Sequence, residues 1–194
     1  MRFIAPIIAL FLLVGCVSEN PNKQPLQAAL SNAKDIQQSV ESFDLDSIIS
    51  VRERLKAAKE DVRWLGVEAS VEFVRSDAAI IGKLSEASRY LKDAPQRFNS
   101  LTKESSRCIS QIEGLLNVID SRATIDANGD TITQEYINEN TSKEIKAVEK
   151  LQEVYGLSKH YFSLGLETDV RNWPSIDSLI TAKKGVWARS IAEE

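Results

Sequence analysis

Histidine, methionine and cysteine are almost missing from this chain: one, one and two residues among 194. The single histidine, His160, builds no zinc site without carboxylate or cysteine partners, and no candidate nucleophile stands beside it. Two cysteines, Cys16 and Cys108, supply no disulfide framework. A basic excess is missing as well: 24 Lys and Arg stand against 28 Asp and Glu, a net charge of −4. That balance argues against nucleic acid, whose affinity comes largely from neutralised phosphates, and against a polybasic lipid-binding face. No Gly-x-Ser-x-Gly, His-Glu-x-x-His or P-loop pattern occurs. Strand-like alternation of useful length is lacking, and so is an Asn-Gly hairpin between β-branched runs.

What remains is helical patterning from residue 26 onward. Leu26, Leu30, Ala33, Ile36, Val40 and Phe43 follow the spacing of one helix face. Asp44 and Asp46 then offer a break and an N-cap. Ile48, Leu55, Ala58, Val62 and Leu65 carry a second run, which Gly66 ends or bends. Val71, Val74, Ala78, Ile81, Leu84 and Leu91 continue it, so residues 46–92 read as two helices or one long bent one. Ser76 and Asp77 offer an internal cap. Pro95 forces a turn at Asp93 and Ala94, because proline disfavours the α conformation in its predecessor. The next helix carries Phe98, Leu101, Cys108, Ile112, Leu115 and Ile119. Cys108 lies on that apolar stripe and reads as a small buried hydrophobe. Thr131 with Gln134 fits a capping box for the following helix. Gly156 and Gly165 weaken its later turns, and Asn172, Trp173, Pro174 and Ser175 open a last one. The expectation is an all-α protein: a bundle of five or six helices, mostly up-and-down with short turns, in one domain over residues 26–194.

The N-terminus differs from everything after it. Arg2 precedes residues 3–14, which are apolar apart from the break at Pro6. The run is too short for a membrane span, which needs about 20 residues, and suits a signal h-region of about 7–15. It closes on Leu13, Val14, Gly15 and Cys16, which resemble the lipobox of bacterial lipoproteins. The resemblance covers only the first 16 residues. It implies a signal peptide over residues 1–15, removed before Cys16, and a lipid anchor, palmitate-bearing, on the Cys16 sulfur. Two or more acyl chains anchor stably where one does not. Val17 stands where Asp retains such lipoproteins in the inner membrane, so the resemblance implies the outer membrane, with the domain facing the periplasm and surface exposure an open alternative. Residues 16–25 hold two prolines and read as the lipidated cysteine with a polar linker; the nine residues after Cys16 reach about 30 Å at full extension.

Among the candidate site residues, Asp126, Asn128 and Asp130 are the most patterned. With Thr131, Ile132 and Thr133 they resemble the first half of an EF-hand calcium loop, where alternating oxygen ligands suit a hard cation. The glycine expected after the third ligand is missing, and Tyr136 stands where the bidentate glutamate belongs, so Glu135 or Glu139 would have to substitute. The metal candidates are therefore Asp126, Asn128, Asp130 and Glu135, with Ca2+ as the only cofactor considered. The competing account is a helix–helix turn. Trp173 and Trp187 bracket the last helix as candidate interface residues, since tryptophan is enriched at binding hot spots; docking of that helix onto the bundle is the plainer account. No catalytic residue stands out among 28 acids and one histidine. The functional expectation is a non-enzymatic, membrane-anchored envelope lipoprotein. It would be a helical binding or scaffold module for a protein partner, an inhibitor or immunity type included. The alternative is a calcium- or ligand-responsive module built on the 126–130 loop.

Overall fold

The computed structural model describes residues 20–126 and 128–193; the signal segment, Cys16 and the first part of the linker lie outside them. The described residues form α1 (Lys23–Glu41), α2 (Leu45–Val67), α3 (Asp77–Leu91), α4 (Ala94–Ser121) and α5 (Gln134–Ala192). No strand accompanies them; a single bridge joins Ile125 and Thr131. The fold is an all-α helical bundle.

Its helices are fewer and longer than expected. Only Lys92 and Asp93 separate α3 from α4, and Lys92 keeps helical φ and ψ. Joined, the segments make four long helices rather than five or six. Pro95 does not force a separate turn here, because it sits in the first turn of α4, where its missing N–H is not needed. α5 runs unbroken for 59 residues through Gly156, Gly165 and Pro174. Pro174 is exposed, so water is available to the carbonyl whose bond the ring removes. At 1.5 Å per residue, α5 is about 88 Å long.

Residues 46–92 are two helices, parted by residues 68–76. Asp44 caps α2 as expected, accepting from the Ser47 amide at 3.0 Å and the Ser47 hydroxyl at 2.6 Å. Ser76 flanks α3 without a side-chain bond. Asp77 acts instead, accepting from the Val74 amide at 2.9 Å. The N-cap of α5 is Thr133, which accepts from the Tyr136 amide at 3.1 Å, and not Thr131. At the chain start α1 begins at Lys23, inside the expected linker. Asn20 and Asn22 bond Gln134 and Asn138 of α5 at 3.3 and 2.7 Å.

α5 organises the rest. Its buried residues Thr141, Val148, Leu151, Ser158, Phe162, Gly165, Asp169, Ile176 and Ile180 recur in threes, fours and sevens, the near-3.5 repeat that keeps one seam facing its partners. Over the first half of α5, Val148 and Leu151 share a core with Leu26, Ala33 and Val40 of α1 and Leu101, Cys108 and Ile112 of α4. Over the second half, Phe162, Ile176 and Ile180 share a core with Ile48, Leu55 and Leu65 of α2 and Leu84 and Leu91 of α3. Phe43, in the turn between α1 and α2, touches both cores. It stacks on Tyr155 at 6.0 Å and meets Phe162 edge-on at 5.5 Å. Two three-helix bundles thus sit end to end on one long helix.

Candidate functional site

The 126–130 loop is closed by its own backbone. Asp126 Oδ1 accepts from the amides of Asn128 at 2.8 Å and Asp130 at 2.9 Å. The Asp126 amide donates to the Asp130 carbonyl at 2.9 Å, and Gly129 takes φ +91°, which glycine adopts without a Cβ clash. Asn128 and Asp130 are exposed, and Glu135 points from the first turn of α5 into solvent. Among the described residues no group of three or more His, Cys, Asp or Glu side chains gathers. The loop has the geometry of an Asx-type turn.

The tryptophans pack inward. Trp187 meets Trp64 of α2 edge to face, with ring centroids 4.8 Å apart. Trp173 lies under the Arg54 guanidinium at 4.2 Å. Both are half-buried against the second core. Arg54 also ion-pairs with Asp169, which is fully buried on α5 and whose Oδ1 has no hydrogen-bond partner among the described residues. Burial pushes the Asp169 carboxyl up from its ordinary value, and Arg54 opposes only part of that. Cys108 is buried and free, its thiol pushed up by desolvation, the reverse of what a reactive cysteine needs. His160 is exposed.

One cluster had no counterpart in the sequence reading. Where α3 passes into α4, Arg89, Asp93 and Arg97 stand four residues apart. With Tyr90 and, from α5, Tyr161 they line a pocket of about 410 Å³. Tyr90 and Tyr161 stack at 6.1 Å with their planes 28° apart. Arg89 lies over Tyr90 at 5.7 Å and Arg97 over Tyr161 at 5.1 Å. Tyr90 Oη hydrogen-bonds Glu86 Oε1 at 3.3 Å. The Arg52 Nε–H donates to the Lys92 carbonyl at 3.2 Å, tying α2 to the joint. The four-residue spacing is a helix-face signal; the turn expected at Asp93, Ala94 and Pro95 conceals it.

A second groove, of about 280 Å³, runs between α4 and α5 over Leu101, Ala147, Leu151 and Val154, rimmed by Glu104, Arg107 and Lys150. Among the described residues no helix is long and apolar enough to cross a membrane. No family model, no curated protein and no solved structure matches this chain. Fold and site together define a class and no narrower one: an elongated all-α bundle with an arginine–tyrosine pocket near its middle.

Proposed function

We propose that this protein is a non-enzymatic, lipid-anchored lipoprotein of the bacterial envelope that binds another macromolecule. Leu13, Val14, Gly15 and Cys16 support the anchor, and Val17 supports an outer-membrane address with the domain in the periplasm. The observation that carries the binding role is the shape of the bundle together with where the tether enters it. Residue 20 bonds the start of α5, and four peptide units separate it from Cys16. Four residues reach only about 14 Å, so this end of the rod stays at the membrane. The remainder of α5 then extends up to about 88 Å along the rod. Such a body suits holding a surface at a set distance from a membrane, and tethering raises its effective concentration for a neighbour. An inhibitor or immunity role falls within the same reading.

Two experiments test it. Metabolic palmitate labelling is expected on the wild type and lost in Cys16→Ser; a Cys16→Ser chain that is processed and fractionated like the wild type overturns the anchor. Crosslinking in intact cells, followed by purification, is expected to recover one envelope protein reproducibly. Recovery of nothing above background overturns the partner-binding role.

A further inference from the structure

The pocket at the α3–α4 joint carries a charge that selects its ligand. Two guanidiniums and the Asp93 carboxylate face one opening, a net of one positive charge. Among the described residues neither Arg89 nor Arg97 comes within 4 Å of a carboxylate; Arg89 acts on Glu86 only at longer range, and Glu86 is balanced by Lys83 at 2.8 Å. Each arginine rests on a tyrosine face. A guanidinium held over a ring keeps its N–H edge free, and that planar edge matches a carboxylate in bidentate fashion. Restraint on the rings lowers the ordering cost of binding. Arg97, Tyr90 and Tyr161 are half-buried while Arg89 and Asp93 are exposed, so one side of the opening is walled and the other wet.

We propose that this pocket binds a single carboxylate side chain of an acidic peptide segment, with an apolar neighbour of that residue resting against the edges of the Tyr90 and Tyr161 rings. The charge balance decides between oxyanions: a carboxylate matches the net single positive charge, whereas a phosphate dianion overfills it and meets Asp93 with twice the repulsion. The α5 register places Tyr161 about 40 Å from the start of that helix, well clear of the tethered end. This inference rests on the partner-binding reading and assigns that partner its contact chemistry.

The test is a calorimetric titration of the full chain in nonionic detergent micelles. The probes are a capped peptide with one glutamate between two phenylalanines, the same peptide with glutamine, and inorganic phosphate. The glutamate peptide is expected to bind at least tenfold more tightly than its glutamine twin, and phosphate more weakly than either. Arg89→Gln and Arg97→Gln are each expected to weaken the glutamate peptide tenfold or more. Asp93→Asn is expected to tighten it severalfold and to admit phosphate. Arg89 is exposed in the last turn of α3, so its variant carries the test if Arg97→Gln loses helicity. Equal binding of the two peptides overturns the proposal. So do unchanged affinity in Arg89→Gln or phosphate binding the wild type as tightly as the glutamate peptide. A failed titration beside a recovered envelope partner overturns the pocket alone; a successful one with no partner recovered from the cell overturns the partner-binding role and leaves the pocket standing.

Discussion

Leu91 occupies the space where Gly165 lacks a side chain. A Cβ built on Gly165 would lie 2.5 Å from Leu91 Cγ, closer than carbon atoms pack. Both residues are buried, Leu91 at the end of α3 and Gly165 within α5. The α3 end therefore approaches the α5 backbone more closely here than any other residue type would allow.

Gly165→Ala is expected to destabilise the protein. The methyl group improves helix propensity by about 1 kcal/mol, but overpacking costs about 1–3 kcal/mol. Gly165→Val should cost more. The decisive measurement is a urea-unfolding cycle with Leu91→Ala. Each single change lowers stability, while the double variant should be more stable than the sum of the two losses predicts. Strict additivity would show that the two side chains do not compete for this space.

Two buried carboxylates should respond to pH with opposite signs. Asp77 accepts from Lys183 at 2.9 Å and from the Val74 amide. The Lys183 hydrogen bond, first among its causes, holds its carboxyl below 3.8. Its stabilising effect is complete above that unfolded value and is lost as pH falls through the lower folded value. Asp169 is raised above 3.8 by burial, so its ionised form costs stability above the folded value, and that cost is relieved as pH falls through it. Asp77→Asn is thus expected to lower Tm at pH 7, with the difference closing only below pH 3.8. Arg54→Met should cost on the order of 3 kcal/mol at pH 7, because it strands the Asp169 charge, and this loss should shrink on acidification from neutrality. Asp169→Asn should cost less than Arg54→Met at pH 7. Thermal melts across pH 3–8 check all three, and equal losses for Arg54→Met and Asp169→Asn would count against the stranded-charge account.

The Trp64–Trp187 contact fastens the last turns of α5 to α2, aided by Lys184 on Asp61 at 2.7 Å. Trp187→Ala should cost about 2 kcal/mol, below the 3–5 typical of full burial, because the ring is half-buried. Hydrogen exchange should quicken across residues 181–192 and remain slow at residues 141–165. Uniform quickening along α5 would mean that the two cores unfold together.

The Asp126 clasp makes a prediction about calcium. With Oδ1 already accepting two amides, Asp126→Ala should speed amide exchange at Asn128 and Asp130 without calcium present. Millimolar calcium should leave the Tm of the wild type within about a degree. A larger rise would favour the ion-responsive reading of this loop.

How far the residue pattern reaches is clearest on particular elements. The apolar stripes of α1 and α4 were readable because their spacing is strict: Leu26, Ala33, Ile36 and Val40 are all buried, as are Leu101, Cys108, Ile112, Leu115 and Ile119. Asp44 was readable as a cap because capping is local. The length of α5 was not. Gly156, Gly165 and Pro174 each weaken a helix by propensity, yet packing on four other helices outweighs that local cost. The arginine–tyrosine pocket escaped for a related reason: Tyr161 meets Arg97 across 64 positions of chain.

The amino-acid order alone settled the helical class, the faces that turn inward and the apolar N-terminal run ending at Cys16, because those follow from spacing between near neighbours. It did not settle that one helix would carry two cores in series. Nor did it place Asp169 under Arg54, or two arginines over two tyrosines. Those facts depend on which distant faces meet, and summed burial across the whole assembly selects that pairing rather than any single segment's preference.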